Sequence, residues 1–180
     1  ILHIGPARCI YDKLKKINKI NYITSDPFSD SMYKYKLENI PFADGYFDFI
    51  ICIAVLMHVL DDDKCLEEMY RLLSTKGKLI LWVGDLYNNA TIERYNRGDY
   101  SRMKAIDFSC PEDLSDGKVI ELDDGSLGYN PMYSTRTYGK DFLCKLRYMG
   151  FKVDTFISQE FPNYERYGLV KDDILILCEK

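Results

Sequence analysis

Two histidines, six cysteines and a few well-placed carboxylates make up the chain's most reactive side chains. His58 lies near the end of an apolar run, Phe47 to Val59, and the acidic helix start Asp61-Asp62-Asp63 follows at once. An imidazole at that place can take a proton from an alcohol or an amine. It can equally pack against the next helix with its nitrogens bonded to backbone, and both readings stand. Gly5 and Asp26, flanked by Pro6 and Pro27, form a second candidate set. Asp26 follows the glycine turn by about 20 residues, the spacing at which a carboxylate on the neighbouring strand reaches a ribose hydroxyl. As plain structure the two would be a turn and a strand-end cap. His3, inside the first strand, reads as structural. The cysteines show no C-x-x-C pair and no histidine at ligand spacing, so no metal site is expected.

These residues need elements to hold them. Ile1 to Ile4 is a short apolar strand ending in Gly5, and the spacing of Ile10, Leu14 and Ile17 predicts a helix over about Arg8 to Lys19. Asn21 to Ser25 is a second strand; Ser29 to Tyr35 reads as a short helix or loop. Phe47 onward lacks period-2 alternation, the mark of a central strand covered on both faces. Asp61 or Asp62 caps a helix carrying Leu66, Met69, Tyr70 and Leu73, with Gly77 as its stop. Lys78 to Val83 is the next buried strand.

From Gly84 to Tyr133 the periodicity fails. Roughly fifty residues without clear elements inside a small domain point to a lid or subdomain on the substrate side, 84–133. Within it Val119 to Leu122 and the turn Asp123 to Ser126 read as a hairpin. Phe142, Leu143, Leu146 and Met149 then make a helical stripe closed by Gly150. Phe151 to Ile157 and Ile174 to Cys178 are two strands that suit an antiparallel hairpin at the sheet edge. The fold class is therefore α/β: a Rossmann-like, doubly wound, mostly parallel sheet with an antiparallel edge strand and an inserted lid, in one domain spanning 1–180. A chain that opens directly on a strand is expected to have had residues before it.

A net charge of −4 argues against a nucleic-acid surface, and Lys13, Lys15 and Lys16 read as a solvated helix face. No apolar run approaches the ~20 residues of a membrane span, and no signal-peptide pattern opens the chain. The scattered cysteines read as reduced thiols, hence a cytoplasmic protein. Fifteen tyrosines, several of them between Tyr87 and Tyr138, suit a binding surface.

The segment Ile40-Pro41-Phe42-Ala43-Asp44-Gly45-Tyr46-Phe47-Asp48 resembles the "LPF-x-D-x-x-FD" loop of class I S-adenosylmethionine-dependent methyltransferases, in particular methyltransferase type 11. Leu56-Met57-His58-Val59-Leu60-Asp61 is similar to that family's "LEHV-x-D", and Leu66 to Leu79 to its "L-x-E-x-x-RVLKPGG-x-L". Arg136-Thr137-Tyr138-Gly139 and Gly150-Phe151 also have counterparts in one branch. The first loop departs from the family's acid-x-Gly-x-Gly-x-Gly: Gly5 stands, but Ala7 and Cys9 replace the later glycines. Lys36 replaces the usual adenine-binding aspartate, and Met57 the glutamate of "LEH".

The resemblance implies S-adenosyl-L-methionine as cofactor. Gly5 would pass its methionine part, Asp26 hold its ribose and Phe28 lie against adenine. The backbone of Leu37, Glu38 and Asn39 would read the adenine edge, and Cys52, Ile53 and Ala54 would line the methionine side. It also implies an acceptor side lined by Tyr129, Tyr133, Arg136 and Tyr138, with Arg136 able to meet a carboxylate or phosphate. His58 is the candidate base. The expected activity is O- or N-methylation of a small molecule or saccharide-type metabolite. Two other readings stay open: a non-catalytic partner subunit with a degenerate cofactor loop, and a nicotinamide dehydrogenase, which the absent G-x-G-x-x-G disfavours.

Overall fold

The computed structural model describes residues 1–27, 29–84, 86, 88–93, 119–121, 127–129, 135–163 and 171–180. Three short apolar strands, β1 (Leu2–Ile4), β2 (Ile23–Ser25) and β3 (Phe47–Ile53), lie parallel with β4 (Leu73–Trp82). Two helices connect them, α1 (Arg8–Leu14) between β1 and β2 and α2 (Asp62–Leu72) between β3 and β4. Two more strands, β9 (Lys152–Ile157) and β10 (Ile174–Glu179), follow α3 (Asp141–Tyr148) and complete a sheet of order β2-β1-β3-β4-β10-β9. The order reverses after β2, because β3 returns to the far side of β1. A crevice opens at such a reversal, beyond the carboxyl ends of β1 and β3.

Register decides which side chains share a face. Leu2, Ile50, Leu79 and Cys178 fall in line across the strands, as do Ile4, Cys52, Leu81 and Ile176. All eight are buried in one core with Cys65, Leu66, Met69 and Leu72 of α2 and with Phe142 and Leu146 of α3. Each fully buried Leu, Ile or Met contributes roughly 1.5–3 kcal/mol relative to exposure. The opposite face is covered less: Ile80, Trp82, Leu175 and Leu177 are half-buried and Phe49 is exposed.

His3 is on that second face and is nonetheless fully buried, with Nδ1 2.7 Å from the Tyr22 hydroxyl. Tyr22 in turn packs against Tyr11 of α1. Burial pushes the His3 pKa down to about 4, so the ring stands neutral. Its place inside a core strand gives it the structural role expected of it.

Several elements differ from their sequence reading. α1 stops at Leu14 and buries none of its residues, since beyond Leu14 only Ile17 and Ile20 interrupt a run of lysines and asparagine. Residues 29–35 take the loop alternative of their reading, and Tyr33 makes a single parallel bridge to Ser25 on the outer edge of β2. The apolar run ends as a strand at Ile53, because Ala54 takes φ +57° and Leu56–His58 coil into a 3-10 turn. Gly77 does not stop α2. The helix passes at Leu72 straight into β4, and a bulge at 74–77 with Lys76 at φ +65° breaks the pairing to β3. A β-carbon on Gly77 would stand 2.8 Å from the Ser74 carbonyl oxygen, which is why glycine occupies it. The last two strands do form the expected antiparallel hairpin at the sheet edge, with β10 between β4 and β9, antiparallel to both, and β9 outermost.

β6 (Val119–Glu121) and β7 (Leu127–Tyr129) pair as the expected hairpin, with Ile120 opposite Gly128. β5 (Ile92–Glu93) pairs antiparallel with β8 (Arg136–Thr137), a two-stranded stem that joins the two ends of the intervening segment. Among the described residues no helix is long and apolar enough to cross a membrane.

Candidate cofactor and active site

The carboxyl edge of the sheet brings the predicted residues together by register alone. Ile4 pairs with both Ser25 and Cys52, so the next residues along, Gly5, Asp26 and Ile53, lie side by side on three adjacent strands. Gly5 donates its N–H to the Ser25 carbonyl at 3.0 Å and turns away at φ +57°. Asp26 is held by its own N–H on the Tyr33 carbonyl, again at 3.0 Å. Ser25 Oγ is buried at this edge with no hydrogen-bond partner among the described residues, which suits a polar ligand seated there. Pro6, Asp26, Pro27 and Ile53 are half-buried around it.

Leu37, Glu38 and Asn39 form the segment just ahead of the motif loop. Burial raises the Glu38 pKa, and the charges acting on it belong to Lys36, Asp61 and Lys64, which puts this segment beside the N-terminus of α2. Asp61 caps that helix by accepting the Lys64 N–H at 3.2 Å. Leu37 is buried, whereas Asn39 is exposed.

Ala54 in the left-handed region is uncommon for a residue with a β-carbon and costs of order 1–3 kcal/mol. Its consequence is local. The chain turns out of β3, the Ala54 N–H bonds to the Trp82 carbonyl, and Val55 folds back over the first loop. A β-carbon built on Gly5 would stand 2.4 Å from Val55 Cγ2, so Val55 is packed on this glycine. Cys52 sits deeper than expected. It is fully buried on the core face and burial pushes its thiol up to about 12, so only its backbone can border a ligand.

His58 lies half-buried in the 3-10 turn beyond the edge, with its N–H on the Val55 carbonyl at 2.8 Å. Arg136 and Tyr138 do not line an acceptor surface. Both are buried and bonded inward: Arg136 to the carbonyls of Leu56, Val59 and Leu60 and to Glu93, Tyr138 to the Leu56 carbonyl and Asp62. A guanidinium this enclosed needs acceptors on all its donors, and the turn after β3 supplies them. Tyr129 is in β7, while Phe28 and Tyr133 lie outside the described residues. Sequence reasoning missed Val55, Thr135 and Asp62. A valine, a threonine and one aspartate of three carry no chemical signal until a fold shows what they touch.

The motif loop has a structural basis of its own. Arg71 donates to both Glu68 oxygens, to Asp44, and to the carbonyls of Phe42 and Ile40, while Glu68 accepts the Ile40 N–H. The segment Ile40–Gly45 is thereby fastened to α2, just ahead of β3. Charge-assisted bonds hold the Arg71 pKa above its ordinary value.

Residues 13–81 match a family model described as a methyltransferase domain. A ubiquinone/menaquinone biosynthesis C-methyltransferase of Haemophilus ducreyi is 34% identical over 73 residues, 39% of this chain and 24% of that one. The 1,6-didemethyltoxoflavin-N1-methyltransferase of Burkholderia thailandensis, solved with S-adenosylhomocysteine, superposes with a TM-score of 0.52 over 99% of this chain and 70% of that one, at 12% identity. The chain thus shares the fold of S-adenosylmethionine-dependent methyltransferases, and its residues 13–81 are similar to their methyltransferase domain. A tRNA U34 carboxymethyltransferase of Syntrophotalea carbinolica is 29% identical over 103 residues, 57% of this chain and 30% of that one. The domain thus spans under a third of the length of either curated relative. S-adenosylmethionine is the cofactor of this family, and Gly5, the half-buried Asp26 and the orphaned Ser25 Oγ form an edge that fits its nucleoside part. The loop that follows fits less closely, because Ala7 and Cys9 give the backbone less room than glycines would.

Proposed function

We propose that this domain transfers a methyl group from S-adenosylmethionine to oxygen or nitrogen of a small polar acceptor, saccharide-type metabolites included. The observation that carries the reading is the register that sets Gly5, Asp26 and Ile53 abreast at the strand-order reversal. Bound there, the cofactor supplies an electrophilic methyl group on a sulfonium sulfur. Asp26 would accept from the ribose hydroxyls, the Leu37–Asn39 backbone would border the adenine, and Ile53 and Ala54 would flank the methionine part. His58, beyond the same edge, would take the proton that the acceptor sheds. The five described cysteines are free thiols, in keeping with the reducing cytoplasm.

The segment 84–133 serves in this reading as the acceptor-side cover, with β5 and β8 as its stem and Tyr129 and Tyr133 as its candidate contacts. A methyl-transfer assay that follows S-adenosylhomocysteine release over a panel of hydroxyl and amine acceptors tests both points. Turnover with at least one acceptor is expected from the full chain, and none once residues 94–133 are replaced by a short Gly-Ser linker. No turnover with any acceptor, despite tight cofactor binding, would favour a non-catalytic subunit. Undiminished turnover by the shortened chain would remove the cover.

A further inference from the structure

Four of the five carbonyl oxygens from Leu56 to Leu60 are bonded by a single short segment. The Thr135 N–H donates to the Met57 carbonyl at 2.7 Å, and Thr135 Oγ1 lies 2.9 Å from that oxygen and 2.8 Å from the Val59 carbonyl. Arg136 reaches the Leu56 carbonyl at 3.2 Å, Val59 at 2.8 Å and Leu60 at 2.9 Å. His58 is the remaining residue of the five, and its N–H is already on Val55. Both Thr135 and Arg136 are buried, so the bonds are shielded from water. On the other side, Arg136 Nε meets Glu93 at 3.2 Å across the β5–β8 stem.

From this we infer that Thr135 and Arg136 are positioning residues: they fix the turn that aims His58 and presses Val55 onto Gly5, and they tie that turn to the stem of the inserted segment. A free 3-10 turn of three residues has few internal bonds to hold it. Here its outward carbonyls are clamped from outside, and Val55, just ahead of the clamped stretch, is the residue packed on Gly5. The inference rests on the proposed function for its catalytic meaning, but the geometry is testable without an acceptor.

The chain has only two histidines, so a proton–carbon NMR spectrum holds two imidazole Cε1–H signals, assigned with His58→Gln. His3, packed beneath α1 on the far face, serves as the internal reference. Thr135→Val keeps the backbone bond and deletes the hydroxyl whose single proton the Met57 and Val59 carbonyls share. It is expected to stay folded, to move the His58 signal, to leave His3 in place, and to weaken S-adenosylhomocysteine about tenfold. Arg136→Lys should move His58 the same way, while Arg136→Met should move it further if the variant folds. A folded Thr135→Val with a lowered melting temperature but an unmoved His58 signal would overturn the inference and leave Thr135 as ordinary packing. If the parent chain binds no S-adenosylhomocysteine, the proposed function fails separately, and the His58 signal alone still decides the clamp.

Discussion

Replacing Asp62 by alanine is expected to destabilise the fold by about 3–5 kcal/mol, the cost of stripping one partner from a buried ionic cluster. Asp62 opens α2 and is fully buried. Its Oδ2 accepts from Lys145 Nζ at 2.9 Å and from the Tyr138 hydroxyl at 3.0 Å, and its Oδ1 lies 3.9 Å from Arg136 Nη2. Alanine removes the one carboxylate that faces all three donors, two of them cationic. Asp62→Asn keeps the shape and part of the bonding, so a loss nearer 1–3 kcal/mol is expected. Urea unfolding measures both. A loss below about 1 kcal/mol for the alanine variant would mean that water reaches the cluster and the cluster does not organise this end of the fold.

Gly5→Ala has the second large effect. Two costs coincide: φ +57° strains any residue with a β-carbon, and that carbon would stand 2.4 Å from Val55 Cγ2. Strain and overpacking together come to about 3 kcal/mol. Because Val55 must move, the wall over the cofactor loop moves with it, and S-adenosylhomocysteine affinity should fall at least tenfold. Adding Val55→Ala removes the collision but leaves the backbone strain, so the double variant should recover part of the stability and less of the binding. Denaturant unfolding with calorimetry separates the two. A single variant as stable as the parent would show that Val55 is not packed on this loop.

How much of this was legible in the residues follows from which signals are local. The central strand, α2 with its Asp61 cap, α3 and the last two strands declare themselves through apolar spacing, and burial of Leu66, Met69, Phe142 and Leu146 in one core is the same pattern in space. The Gly5–Asp26 spacing also survives, because parallel register converts an interval in sequence into adjacency at one edge. What could not be read is tertiary. Arg136 and Tyr138 look like ligand-facing residues in sequence, since nothing local says that three carbonyls and a buried carboxylate await them. Lys76 at a positive φ and the direct passage of α2 into β4 were hidden for a similar reason: Gly77 looks like a helix stop whether it caps a helix or relieves a bulge. Asp44 and Arg71 carry the resemblance, yet their work is to pin a loop to α2.

Calorimetric titration of S-adenosylhomocysteine into the full chain, repeated with Asp26→Ala, tests the central claim most directly. The account predicts saturable one-to-one binding by the parent and at least tenfold weaker binding by the variant, a loss of about 1.4 kcal/mol or more. Equal affinity of the two proteins would contradict the site at Gly5, Asp26 and Ile53, and absence of binding by the parent would contradict the cofactor role itself.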